Sequence, residues 1–297
     1  ETVDELAGFA SAMRERVVRV AAPDGAIDVV GTGGDGSGTF NISTTSALVV
    51  AAAGVPVAKH GNRAITSKSG AADVLEALGI RVDHTAESAV ADLRQFGFAF
   101  LFAPAFHPAM RHAGPTRREI GVRTAFNLLG PLTNPAGARR ALIGVGDATA
   151  APRIADVARR LGTDRTLVVH GRGVDELPLD GSGVILDVSA GGIHESKVDP
   201  GALGLRAAAT SELSGGTAAE NAAITVEILE GRGGARRDVV LLNAGAAFVA
   251  AGRVAQLHAG IGLAAETIDA GKAQALLEAL RAAKRTADAA APGDGQA

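Results

Sequence analysis

The chain has 297 residues, enough for one large domain or two modest ones with ample core. A formal net charge of −3 gives no overall pull toward nucleic acid or anionic membrane, so basic residues matter only where they cluster. The absence of cysteine excludes disulfides and thiol chemistry and fits a cytoplasmic enzyme; no apolar run is long enough to span a membrane, and no stretch reads as a signal peptide.

Residues 3–20 read as a helix, with Leu6, Phe9, Ala10, Met13 and Val17 at helical spacing. A turn at Pro23-Asp24-Gly25 leads to an apolar strand, Ile27 to Val30. This breaks into a loop holding Gly31, Gly33, Gly34, Gly36 and Gly38. A hydroxyl-rich segment, Thr39 to Ser46, then opens an apolar helix running to about Ala53. A second strand, Val55 to Ala58, ends on Lys59-His60-Gly61-Asn62-Arg63, and the loop Thr66-Ser67-Lys68-Ser69-Gly70 opens another helix at Ala71. A helix at 86–95 and a continuously apolar strand, Gly97 to Phe102, follow; such a strand suits a parallel sheet covered on both faces.

Two strands thus deliver two glycine- and hydroxyl-rich loops to one sheet edge, each running into a helix N-terminus. Free backbone N–H groups and the positive end of the helix dipole favour an anion there, and glycines let the backbone approach it. Lys59, Arg63 and Lys68 add positive charge, against Asp35 as the sole acid between Gly31 and Ala72. A ligand with several phosphates is expected. Gly31, Gly33 and Gly36 also fit G-x-G-x-x-G, but the second strand ends on Lys59 and His60 where a dinucleotide fold needs an acid. No P-loop motif is present.

Residues 104–136 are too broken by proline and glycine for one long helix and carry His107, Arg111, His112, Arg117, Arg118 and Arg123 in short helical pieces. Strand–helix alternation then resumes, with a strand Ala141 to Val145, a helix Pro152 to Leu161 and a strand Thr166 to Val169. His170-Gly171-Arg172-Gly173-Val174-Asp175-Glu176 follows. Adjacent carboxylates in a loop can face one way and hold Mg²⁺, although a bare Asp-Glu pair more often means an exposed acidic turn. Two strands over 184–197 turn at Gly191-Gly192, with His194 a surface residue. Helices at 217–229, 237–251, about 257–269 and 272–284 close the chain. Asn243 and Gly245 read as packing, and the tail from Arg285 reads as frayed.

GTGGD at 31–35, NIST at 41–44, KHGNR at 59–63, HPAM at 107–110, RREIGVRT at 117–124, FNLLGPLTNP at 126–135 and VHGRGVDE at 169–176 are specific by residue and spacing. Together they resemble the anthranilate phosphoribosyltransferase family over nearly the whole chain. The resemblance implies an α/β fold: a mostly parallel central sheet flanked by helices, with a small helical domain, as in nucleoside phosphorylases and phosphoribosyltransferases. Residues 1–22 with part of 104–136 would belong to the helical domain, and 23–297 to the catalytic one. About fifty further residues of helix would precede residue 1; they serve the family's homodimer contact and one wall of its acceptor channel, so the implied dimer depends on them.

The implied reaction transfers phosphoribosyl from phosphoribosyl pyrophosphate to the anthranilate amine, releasing pyrophosphate, in tryptophan biosynthesis. By the resemblance, the donor lies on Gly31, Gly34, Asp35, Thr39, Asn41, Ile42, Ser43, Thr44, Lys59, Ser67 and Ala71. The acceptor lies on Gly31, His60, Asn62, His107, Met110, Arg117 and Pro131, with Arg117 on the carboxylate. Mg²⁺ would be held by Ser43, Asp175 and Glu176. No residue is an obvious general base; His60 and His107 are candidates for positioning. Ala71 stands where many members have serine, and Thr66-Ser67 where the family usually has two serines. A pyrimidine nucleoside phosphorylase of the same fold is disfavoured by the order G-T-G-G-D with no following lysine. A non-catalytic nucleic-acid-binding relative is disfavoured by the net charge and the intact acid pair. A type I phosphoribosyltransferase would show two acids after an apolar run and then T-x-G-x-T, and that pattern is not found.

Overall fold

The computed structural model describes residues 1–64, 68–120 and 124–290, apart from the side chains at 115, 117 and 118. Helix α1 (Val3–Glu15) precedes β1 (Ile27–Gly31), α2 (Ile42–Ala52), β2 (Val57–Gly61), α3 (Ala71–Ala77), α4 (Ala86–Phe96) and β3 (Phe98–Phe102). The proline- and glycine-broken stretch forms α5 (Ala103–Phe106), α6 (Met110–Ile120), α7 (Phe126–Leu129) and a 3₁₀ turn, Gly130–Leu132. Then come β4 (Arg140–Gly144), α8 (Ala151–Arg160), β5 (Arg165–His170) and a hairpin of β6 (Val184–Ser189) and β7 (Gly192–Lys197). Helices α9 (Ala218–Leu229), α10 (Ala235–Ala250), α11 (Leu257–Asp269) and α12 (Lys272–Ala290) complete the chain.

The seven strands form one sheet in the order β3-β2-β1-β4-β5-β6-β7. The first five are parallel and the hairpin adds two antiparallel strands. The expected α/β class with a mostly parallel sheet is therefore what the chain adopts. Alternation along each strand explains the two layers of core. Ile27, Val29, Leu142, Leu167 and Val169 pack into the cluster under α2, α10, α11 and α12. Val30, Ala141, Ile143 and Val168 face the other way, toward α8 and the α1 residues Leu6, Ala7 and Ala10. Helix α2 is buried almost all round, which is why it shows apolar residues on every face.

The winding opens the site. From β1 the chain moves outward through β2 and β3, then crosses back to place β4 on the other side of β1. Loops leaving β1 and β4 diverge, and a crevice forms at the carboxyl ends of the two strands, where Gly31 pairs with Gly144.

Several boundaries differ from the sequence reading. The first helix ends at Glu15, not residue 20, because the Val18 and Val20 N–H groups pair with the carbonyls of Phe106 and Pro135. Strand β2 runs through Lys59, His60 and Gly61, because each of them pairs with β3 opposite Phe100, Leu101 and Phe102. The final helix does not fray at Arg285. It continues to Ala290, supported by a Lys284–Asp288 pair one turn apart, and the glycine-rich tail beyond lies outside the described residues.

Candidate active site

Beyond β1, Gly33, Gly34, Gly36 and Gly38 all adopt positive φ, between 66° and 73°, a region that side chains disfavour. The loop then enters α2 at Asn41, whose side chain makes no capping bond to the helix. Of the first N–H groups of α2, that of Ile42 donates to the Phe40 carbonyl and that of Ser43 to Glu176 Oε1 at 2.9 Å. The Thr44 N–H has no partner among the described residues. An anion is favoured at this point by the helix dipole. Ile42 offers only backbone here, since its side chain is core.

Asp175 and Glu176 reach the same place from the turn after β5. Arg172 sits there at φ 41°, a strained value for a residue with a side chain, and is paired with Asp180. Asp175 Oδ2 accepts from the Gly33 N–H at 2.8 Å, and the Asp175 N–H donates to Asp35 Oδ2 at 3.2 Å. This contact demands glycine below it. A Cβ on Gly31 would lie 2.2 Å from Asp175 Oδ2, and one on Gly144 would lie 1.6 Å from the Asp175 carbonyl oxygen. Burial, with the Asp35 charge beside it, pushes Asp175 up to about 7. Burial and the Asp175 charge push Glu176 well above the usual carboxylate range.

Lys59 lies beneath the pair, 1% exposed, its Nζ donating to the Val29 carbonyl. Burial lowers its pKa, and the charges of Asp28, Glu176 and Asp175 oppose that shift. Three carboxyl groups, Asp28, Asp175 and Glu176, act on one buried cation, and burial disfavours their charged forms, so a divalent cation fits the donor set. No ready-made group of three or more His, Asp or Glu ligands exists among the described residues. Mg²⁺ does not need one, because it commonly takes one or two carboxylates and completes its shell with water and substrate phosphate.

The cleft these residues line has a volume of about 380 Å³. It brings together Gly31, Gly34, Asp35, Thr39, Asn41, Ile42, Ser43, Thr44, Lys59, Ala71, Asp175 and Glu176. Ser67 lies outside the described residues. Two of the expected cations, Lys59 and Arg63, line the cleft but are already engaged by protein partners. Lys59 is a buried counter-ion, and the Arg63 guanidinium is turned onto Glu76 (2.6 Å) and Asp73 (3.0 Å), over the Phe102 ring. Asp35 is likewise engaged, accepting from the Ser37 and Asp175 N–H groups.

A second cleft of about 750 Å³ adjoins the first, and Val30, Gly31, Thr32, His60, Gly61, Asn62 and Asn127 line both. Its other walls come from Met13, Pro104, His107, Pro108, Met110, Phe126 and Pro131. All the expected acceptor residues line it except Arg117, which lies on α6 with its side chain outside the described set. His60 Nδ1 donates to the Gly130 carbonyl at 3.0 Å, which leaves Nε2 as an acceptor facing His107 Nε2 at 3.2 Å. Burial and the neighbouring His107 lower His60 to about 3, so it is neutral near pH 7.

The family model for the glycosyl transferase family, a/b domain, matches residues 23–274. Anthranilate phosphoribosyltransferase of Azorhizobium caulinodans is 50% identical over 281 residues, covering 94% of this chain and 82% of its own length. The crystal structure of anthranilate phosphoribosyltransferase from Thermus thermophilus aligns with a TM-score of 0.90 at 47% identity, covering 96% of this chain and 86% of that one. The Saccharomyces cerevisiae enzyme in complex with PRPP and Mg aligns at 0.87 and 30% identity, covering 96% and 81%. The chain belongs to the anthranilate phosphoribosyltransferase family.

Within this family fold, several residues beyond the expected site set shape the clefts. Asp28 is a buried acid inside an apolar strand. It accepts from Asn134 Nδ2 at 2.7 Å and the His60 N–H at 3.1 Å, so it fixes β2 beside the clefts. Burial raises it to about 6, against the pull of Asn134 and Lys59. Its signal was available: a lone charge in IDVV. Asn243, read as packing, is a polar clamp. It accepts from the Leu177 N–H and donates to the Leu177 carbonyl, anchoring the residue that follows the acid pair. Gly245 is packing, pressed against Gly260 and Ile261 of α11. Thr32 and Asn127, inside quoted motifs, line both clefts and were not singled out.

Proposed function

We propose that the chain transfers phosphoribosyl from phosphoribosyl pyrophosphate to the amine of anthranilate, with Mg²⁺. The observation that carries this is the shared wall: a cleft suited to anions meets a largely apolar one along Gly31, Thr32, His60, Asn62 and Asn127. A phosphorylated donor in the first cleft would present its anomeric carbon toward an aromatic amine in the second, so the two reactants meet with little left to organise. The yeast relative solved with PRPP and Mg supports the choice of donor and cation.

Leaving pyrophosphate develops negative charge while the sugar gains oxocarbenium character. The Thr44 N–H and the glycine loop would take phosphate oxygens. Ser43, Asp175 and Glu176 would hold Mg²⁺, which supplies charge neutralisation of the leaving group. Lys59 would act from below by setting the charge of the acids. Asn62 and Arg117 would orient the acceptor, the guanidinium forking onto its carboxylate. A neutral aromatic amine is already a nucleophile, so neutral His60 and His107 would position rather than abstract a proton. No helix among the described residues is long and apolar enough to cross a membrane. A cytoplasmic setting, a homodimer, and assignment of residues 1–22 with part of 104–136 to a helical unit are part of the same reading.

The test is loss of anthranilate fluorescence on adding phosphoribosyl pyrophosphate, with and without Mg²⁺. The chain has no Trp or Tyr, so the background is low. A Mg²⁺-dependent loss is expected, and Arg117→Ala should raise the anthranilate KM about tenfold or more, the worth of a charged hydrogen bond. No loss, with no donor binding by calorimetry, would overturn the reading.

A further inference from the structure

Asparagine is among the best helix N-caps, because its side-chain oxygen accepts from the N–H two or three residues on. Asn41 stands at the N-cap of α2 and does not do this. Its Oδ1 is held at 2.9 Å by Nδ2 of Asn221, a residue of α9 that is 2% exposed and 180 positions away. Its Nδ2 reaches the Ser69 carbonyl at 3.3 Å, and Ser69 Oγ lies 3.4 Å from its Oδ1. Backbone groups fix both amide orientations. The Gly216 N–H donates to Asn221 Oδ1 at 2.7 Å, so Nδ2 must face Asn41; the Ser69 carbonyl can meet only Asn41 Nδ2. The atom that would cap the Thr44 N–H is thereby withheld from it.

The segment leading to Asn221 is fitted to the same loop. The Phe40 N–H donates to the Leu213 carbonyl, the Gly215 N–H to the Gly38 carbonyl, and Thr39 bridges Ser214. A Cβ on Gly215 would lie 2.6 Å from both Asn221 Oδ1 and Phe40 Cα, so only glycine lets the amide sit there.

We propose that Asn221 is a positioning residue of the donor site, holding Asn41 Oδ1 off the α2 N-terminus so that the Thr44 N–H stays open to a phosphate oxygen. The inference rests on the donor reading above. Without Asn221, Asn41 swings back and caps its own helix, and the donor must compete with that cap.

Calorimetry with phosphoribosyl pyrophosphate and Mg²⁺ on wild type, N221A, N41A and N221A/N41A tests it. N221A should bind the donor about fivefold to tenfold more weakly, the worth of one buried hydrogen bond. In steady state the donor KM should rise by the same factor, with the anthranilate KM and kcat unchanged. In the N41A background the N221A penalty should vanish, because no side chain is left to cap Thr44. Asn221→Ser, too short to reach Asn41 while keeping an oxygen near Gly216, replaces N221A if thermal unfolding shows that variant to be misfolded. Unchanged donor affinity in N221A, or an equal penalty with and without Asn41, overturns the proposal while wild-type binding leaves the donor reading intact. No donor binding by wild type removes both.

Discussion

The first cleft is walled by main chain and buried charge, the second by side chains from separate short segments. In the first, the main-chain groups of Gly33, Ser43 and Val29 pin Asp175, Glu176 and Lys59 in turn through hydrogen bonds, and Asn243 clamps the following residue, Leu177. In the second, Met13, Pro104, Met110, Phe126 and Pro131 arrive on α1, α5, α6, α7 and the turn after it, around one histidine pair. A change in the first cleft leaves a buried charge or N–H unmatched, which is costly. A change in the second removes apolar contact, which costs less and can be refilled.

The largest expected effect of this difference is at Glu176. E176Q keeps the volume and removes the charge that a Mg²⁺-dependent leaving group needs. The kcat/KM should fall about 10²- to 10³-fold, the scale of losing one preorganised electrostatic contact. Anthranilate binding, read by fluorescence quenching without donor, should not change, because Glu176 lines only the first cleft. An equal loss of anthranilate affinity would mean that the clefts are not separable.

A stability measurement sharpens the same contrast. Asp175 stands at about 7 when folded, against about 3.9 in an unfolded chain. The folded state therefore holds that proton more tightly. Its contribution to stability is complete below about pH 4 and is lost as pH rises through about 7. His60 runs the other way: lowered to about 3, it adds stability above its unfolded value near 6.5 and loses it as pH falls. The two overlap, so the comparison is wild type against D175N in EDTA, by urea unfolding from pH 4.5 to 8. Wild type should lose stability relative to D175N as pH rises; a flat difference would remove the buried-acid account.

What could be read from the sequence follows the same division. The first cleft announces itself because backbone geometry needs glycine: four positive-φ glycines in one loop, and glycines at 31 and 144 where Asp175 packs, leave a pattern in the residues themselves. The alternation of strands and helices gave the sheet, since each parallel strand is buried on both faces. Charge was less legible. Lys59 and Arg63 look like phosphate ligands in a string of letters, and only three-dimensional packing shows one under two acids and the other latched to α3. Least legible were long-range amide contacts. Asn134 reaches Asp28 across 106 positions and Asn221 reaches Asn41 across 180, and no local spacing encodes either.

The smallest effect belongs to the second cleft and tests its softness. Met110 is half-buried against the acceptor space, and its thioether side chain offers that space apolar contact. M110A removes contact worth ~1 kcal/mol, so the anthranilate KM should rise about fivefold while the donor KM stays put. A ring-methylated anthranilate should lose less, because its methyl group occupies the space that the sulfur and its neighbours leave. The ratio of the two acceptors' kcat/KM should therefore shift toward the methylated one by several-fold. If instead the donor KM rises with the acceptor's, the wall at Gly31 and His60 transmits side-chain packing into the main-chain cleft, and the two halves of the site behave as one.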